Sequence, residues 1–158
     1  MTIRIGFGYD VHAFATGRQL ILGGVVIPSE RGLGGHSDAD AVIHAIVDAL
    51  LGAAALGDIG QHFPSTDERW KNQPSSVFLD FTYELLCQEH YAINNVDATI
   101  VAERPKLAPH IQAMRTHLAE HLHLTREQIS VKATTTDGLG FSGRKEGIAC
   151  YAVVLLEN

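Results

Sequence analysis

The segment from His36 to Asp58 limits most strongly what this 158-residue chain can become. Between Ala41 and Leu56 the only charged or titratable side chains are His44 and Asp48. A run so rich in Ala, Leu and Ile reads as a helix. It is apolar on nearly every side, above all through Ala49–Leu56, so it belongs inside the core or against another subunit. Ser37 is the expected N-cap, with Asp40 three residues later working back on the opening turn. Asp38 and Asp40 also place negative charge where the helix dipole favours it. Asp40, His44 and Asp48 follow at four-residue spacing and share a face. Capping explains the serine and the aspartates but gives His36 and His44 nothing to do.

A chain of this length with 46% hydrophobic residues can bury one substantial core, so a single domain over residues 1–158 is expected. A formal net charge of −6 argues against nucleic acid or an anionic membrane as the main partner. No apolar run is long enough to span a bilayer, and the opening Met-Thr-Ile-Arg-Ile-Gly lacks the layout of a targeting segment. Cys87 and Cys150 show no metal spacing and read as free thiols, which fits a cytoplasmic protein.

Along the chain, Ile3–Phe14 reads as a strand in which Gly6 and Gly8 mark a bulge or a close backbone approach. Gln19–Pro28 is a second extended piece, expected to form a hairpin with the first. The glycine-rich loop Gly32–Gly35 leads into the apolar helix, and Asp58–Gln73 is a polar loop. Pro74–Tyr91 and Pro109–Leu122 are helices; Ile93–Ala102, Ile129–Thr135 and Ile148–Leu156 are strands. This order predicts an α+β domain, a mixed sheet with helices packed on one face.

Two stretches carry chemistry. Asp10 and His12 stand two apart in a strand and so leave the same face. With His44 from the helix they make a carboxylate and two imidazoles able to share zinc or a similar divalent ion, one coordination position staying open. The second stretch runs from Lys132 to Arg144. Its hydroxyls and glycine amides can cradle phosphate, Asp137 can hold a second, hard cation, and Arg144 can pair with an anion. His117 and His121 share a helix face, but Glu120 is misplaced for a zinc-protease motif, and the pair is set aside.

Five motifs then occur in order: Gly8-Tyr-Asp-Val-His-Ala-Phe14, His36-Ser-Asp-Ala-Asp-Ala-Val-Ile-His-Ala45, Gly57-Asp-Ile-Gly-Gln-His-Phe-Pro64, Glu103-Arg-Pro-Lys-Leu107 and Ala133-Thr-Thr-Thr-Asp-Gly-Leu-Gly-Phe-Ser-Gly-Arg144. Together, over nearly the whole chain, they resemble the 2-C-methyl-D-erythritol 2,4-cyclodiphosphate synthase family of the non-mevalonate isoprenoid pathway. The resemblance implies a homotrimer with active sites at subunit interfaces. It places the zinc ligands on Asp10, His12 and His44, with Val11 beside them, and the phosphate-contacting pair on His36 and Thr135, with Ser37 next to the first. The methylerythritol pocket falls on Asp58, Ile59 and Gly60, with Phe63, Pro64, Ser65, Thr66 and Asp67 close by. The cytidine pocket falls on Ala102, Glu103, Arg104, Pro105, Lys106, Leu107 and Ala108 and on Thr134, with Thr136 adjoining. Asp137 stands where the family carries a Glu that holds a second cation, Mg²⁺ or Mn²⁺, and Ser65 replaces a frequent Asp. Phe141 and Arg144 match residues bordering an axial channel that can take an isoprenoid diphosphate.

The implied reaction is attack by a substrate's 2-phosphate on the β-phosphorus of its own cytidine diphosphate arm, releasing CMP. Its nucleophile is already an anion, in keeping with a sequence that shows no catalytic triad. A phosphohydrolase using the same zinc, and a non-enzymatic zinc module, are the competing readings.

Overall fold

The computed structural model describes residues 2–158. Strand β1 (Ile3–Ala15) alternates strictly: Ile3, Ile5, Phe7, Tyr9 and Val11 point to one face, while Gly6, Gly8, Asp10 and His12 point to the other. Its neighbours are β7 (Gly147–Glu157), antiparallel over eleven register pairs from Ile3↔Glu157 to Ala13↔Gly147, and the short β4 (Gly32–Leu33). Beyond β7 lie β5 (Ala92–Val101), antiparallel to it, and β6 (Ile129–Thr134), parallel to β5. The five-stranded order β4-β1-β7-β5-β6 makes the expected mixed sheet, with helices over one face.

The apolar segment forms α1 (Ala41–Ala54), buried at every position except His44, Asp48 and Gly52. It packs directly on β1 and β7. Gly6 and Gly8 are sites of close approach and not of a bulge, because a Cβ on either would collide with the Ala49 or Ala45 carbonyl of α1. The sheet's irregularity lies instead in β5, where the register shifts between Ile93 and Asn95. The polar loop after α1 contains a short helix, α2 (Ile59–His62), and one 3₁₀ turn. α3 (Ser76–Gln88) and α4 (Ile111–Leu122) complete the helical layer, and α5 (Gly140–Gly143) is a single turn before β7.

Two expectations are corrected. Residues 20–27 do not pair with β1, whose edges are taken by β7 and β4; they form their own hairpin of β2 (Leu20–Leu22) and β3 (Val25–Ile27). Gly23 and Gly24 both take positive φ at its turn, as a two-residue hairpin loop requires. The cap of α1 is Asp40 and not Ser37, because Ala39 adopts φ 59° and delays the helix. Asp40 Oδ1 accepts from the amides of Val42 and Ile43 at 3.1 Å, and from Gly23 at 2.9 Å; Oδ2 accepts from Gly24 at 2.6 Å. One fully buried carboxylate therefore starts the central helix and ties down the hairpin. Burial pushes its pKa up to about 6, the charge of Asp38 adding to the rise and the surrounding amides opposing it.

Asp40→Ala removes the cap and strands buried amides, so it should cost about 3 kcal/mol, read as a lower urea midpoint with an unchanged slope.

Candidate active site

The alternation of β1 aims Asp10 and His12 at α1, where His44 meets them one turn inside the helix. Asp10 Oδ2 lies 2.8 Å from His12 Nε2 and 3.3 Å from His44 Nδ1, and the two nitrogens are 3.2 Å apart. The outer ring nitrogens are already engaged. His12 Nδ1–H donates to the Gly34 carbonyl at 2.8 Å, which leaves Nε2 as a lone pair. His44 Nε2 meets Ser75 Oγ at 2.8 Å and Ser37 Oγ at 3.2 Å. The Ser75 hydroxyl donates to Asp38, so it accepts from His44 and leaves Nδ1 as the inward lone pair. A carboxylate oxygen and two imidazole lone pairs thus face one another within 4.8 Å, and among the described residues Asp10 Oδ2 has no hydrogen-bond donor apart from these imidazoles. Such a cluster repels itself unless a proton or a cation sits among its members. The donor set fits a divalent ion of the zinc class, with both histidines anchored from behind.

Without metal the same atoms form an ion pair. Burial alone would raise the Asp10 carboxyl, but the two imidazoles outweigh it and hold the group down to about 2. Burial likewise opposes charge on His12, and Asp10 outweighs it, raising that imidazole above its usual range.

Beside the triad lies a cavity of about 250 Å³ lined by His12, His44, His36, Ser37, Ile59, Gly60, Phe63, Ser65, Trp70 and Phe78. Its apolar wall is an aromatic cluster, with Phe63 stacked 4.4 Å from Phe78 and edge-on to Trp70 at 5.2 Å. His36 Nε2–H donates to the Asp67 carbonyl at 3.1 Å. Arg18 braces this loop from behind by donating to the carbonyls of Gly35 and Ser37. Asp58 caps α2 at the rim and Asp67 pairs with Arg69, so neither carboxylate lines the cavity; nor do Pro64 and Thr66. Val11 points to the opposite face of β1 and away from the cavity. Asp48, on the same helix face as His44, is engaged elsewhere: its Oδ1 accepts from the Ile59 amide at 2.8 Å and fastens α2 to α1.

A second cavity, about 360 Å³, is lined by Ala102–Ala108 with Ala133, Thr134 and Thr135. Glu103 ties the two walls together, accepting from the amides of Thr136 at 2.9 Å and Gly138 at 3.3 Å. Asp137 is exposed, 3.3 Å from Thr135 Oγ1 and apart from the triad. Phe141 is partly exposed, and Arg144 pairs with Glu146 at 3.1 Å. Within one chain the two cavities share no lining residue, so His36 and Thr135 are not brought together. Sequence reasoning passed over Ser75, Trp70, Phe78 and Arg18; only Ser75, between a proline and a helix, carried a readable signal, that of a cap.

These features define a protein of the α+β class in which a carboxylate and two imidazoles able to hold a divalent cation open onto a small-molecule cavity. The chain belongs to the YgbB family, whose sequence model matches residues 3–157. It is 61% identical over 156 residues to the 2-C-methyl-D-erythritol 2,4-cyclodiphosphate synthase of Geobacter metallireducens, covering 99% of each chain. Its identity to the enzyme of that name from Salinibacter ruber is 56%, with the same coverage. A solved 2C-methyl-D-erythritol-2,4-cyclodiphosphate synthase in a CDP-bound form superposes with a TM-score of 0.89 at 40% identity, covering 98% of this chain and 100% of that one. The bifunctional IspDF from Campylobacter jejuni gives 0.95 at 44% identity, this chain matching 98% of its own length and 42% of that protein.

The two pKa shifts set opposite pH limits for the metal-free pair. The depressed Asp10 stabilises the fold above the usual carboxylate range and loses that effect as pH falls toward 2. The raised His12 stabilises it below its ordinary 6.5, an effect lost as pH climbs through the elevated value. A cation needs all three groups deprotonated, so its stabilisation must grow with pH. The rise in Tm on adding zinc to chelator-treated protein should therefore be larger at about pH 8 than at about pH 5.5. A pH-independent rise would contradict this ligand set.

Proposed function

We propose that the protein converts 4-diphosphocytidyl-2-C-methyl-D-erythritol 2-phosphate to 2-C-methyl-D-erythritol 2,4-cyclodiphosphate and CMP, as a single-domain enzyme of isoprenoid biosynthesis in the cytoplasm. The observation that carries this reading is the metal triad beside a half-apolar cavity, in a chain that matches synthases of that name end to end. Zinc on Asp10, His12 and His44, and Mg²⁺ or Mn²⁺ on Asp137, would supply Lewis acidity and neutralise charge on the diphosphate. The chain's own residues do the rest. His36, its ring held by the Nε2–H bond to the Asp67 carbonyl, binds a phosphate oxygen beside Ser37 by donating from Nδ1 when that nitrogen also carries a proton. Ile59, Gly60 and the Phe63–Asp67 loop enclose the methylerythritol end, with Asp58 at the rim for its hydroxyls. The cleft of Ala102–Ala108, Thr134 and Thr135 takes the cytidine end. Holding both ends converts a floppy substrate into an aligned one, a term that can reach about 7–11 kcal/mol in intramolecular reactions.

A homotrimer is part of the proposal. Ile3, Ile5, Phe7, Tyr9 and Val11 of β1 and Tyr151 and Val153 of β7 form one exposed apolar face on the side of the sheet without helices. Packing three such faces around an axis buries them, and it lets the metal cavity of one copy meet the cytidine cleft of the next. Phe141 and Arg144 then border the axial channel proposed for an isoprenoid diphosphate. That ligand must compete with Glu146 for Arg144.

Incubation of the purified protein with the cytidylyl substrate and both metals should yield the cyclic diphosphate and CMP in equal amounts. Linear or inorganic phosphate products would favour the phosphohydrolase. His44→Ala should stay folded while turnover falls at least about 100-fold, and unfolding on chelation would favour a structural zinc module. Phe7→Glu should shift the protein to monomer in sedimentation analysis and abolish turnover with it, since each half-site would lose its complement.

A further inference from the structure

Ser75 sits at the N-cap of α3 and is fully buried, yet its side chain makes no capping hydrogen bond to that helix. Its hydroxyl is spent elsewhere. It donates to Asp38 Oδ1, while its amide donates to Asp38 Oδ2 at 2.9 Å. With its proton committed, the oxygen can only accept; the near donor is His44 Nε2–H at 2.8 Å, with the Ser37 hydroxyl farther off at 3.5 Å. The path Asp38–Ser75–His44 therefore has one direction, and it ends at the inward Nδ1 lone pair. Asp38 is itself immobilised: Oδ1 accepts from the Asp40 amide at 3.1 Å, and the Asp38 amide donates to the Gln73 carbonyl at 3.1 Å. The other hydroxyl near His44 is Ser37 Oγ, at the longer 3.2 Å and already accepting from the Ala39 amide at 3.3 Å.

We propose that Ser75, backed by Asp38, is the positioning residue that fixes the tautomer and the aim of His44, so that the start of α3 governs the third metal ligand. The inference rests on the metal-site reading above and adds to it a residue outside the ligand set. Ser75 touches neither metal nor substrate; it acts through His44. Without it, Nε2–H is left with Ser37, and the ring can turn about its stem or exchange tautomer. Phe78, one turn into α3 with its ring 5.9 Å from that of His44, would remain as an apolar wall and not as a hydrogen-bond partner.

The test measures metal directly in the full-length protein, by competition with a chelating dye and by the d–d absorption of Co²⁺. Wild-type protein that fails to bind one ion per chain would sink the metal reading itself. If it binds, Ser75→Ala should weaken Zn²⁺ affinity about 10- to 100-fold and change the Co²⁺ spectrum, while Ser75→Thr, which keeps the hydroxyl, restores both. A purely structural serine would lower Tm and leave affinity and spectrum at wild-type values, and that result overturns the proposal. Should Ser75→Ala not fold, Asp38→Ala carries the test: it removes the acceptor of the Ser75 hydroxyl, which is then free to turn, and should weaken Zn²⁺ binding several-fold. Unchanged affinity in that variant overturns the proposal equally.

Discussion

The backbone contact between β1 and α1 is the constraint on which everything else depends. With hydrogens in place of side chains at Gly6 and Gly8, the helix lies directly on the strand, its carbonyls where Cβ atoms would otherwise be. Two and four residues beyond Gly8, the same face carries Asp10 and His12, now close enough for a side chain on that helix to reach both. A larger strand–helix spacing would bury the same residues and lose the ligand set. An apolar helix surrounded by core pays for its two polar side chains by giving each a partner: His44 meets the cluster and Ser75, and Asp48 receives an amide from α2.

Rigidity spreads outward from that contact in layers of hydrogen bonds. Asp40 joins the helix start to the hairpin, Asp38 joins the loop before the helix to the start of α3, and Arg18 holds the carbonyls on either side of His36. Each acidic residue in the His-Ser-Asp-Ala-Asp motif therefore has a separate mechanical task. None of them is a ligand. Preorganisation of this kind suits a reaction whose barrier lies in phosphate repulsion and in folding a flexible substrate, because there is no nucleophile to activate.

Much of this was legible in the sequence, for physical reasons that differ by residue. Period-two geometry put Asp10 and His12 on one face, and burial of an all-round apolar helix put His44 within the core, so their convergence followed. Helical spacing was a poorer guide to partners: it placed Asp48 on the face of His44 without revealing that a loop amide would claim it. Ser37 looks like the cap from sequence, but Ala39 turns left-handed and moves the helix start to Asp40, a local conformation that composition does not announce. An extended stretch such as residues 20–27 does not state which edge it joins; β7, from the far end of the chain, takes the place beside β1, and the stretch pairs with itself. Ser75 stayed hidden, since its partners lie 31 and 37 positions away and nothing in its neighbours hints at them.

The strict alternation of β1 has a consequence for how such a chain can change over time. One strand displays Asp10 and His12 on its inner face and a row of large apolar side chains on its outer face, each residue committed to one side by parity. Deleting or inserting a single residue upstream of Asp10 would exchange the two faces, burying bulky groups against α1 and turning the glycines outward. Substitutions can be accepted one at a time on either side. Changes of length cannot, and β1 is the part of the molecule where evolutionary drift should leave residue count untouched even as identities wander.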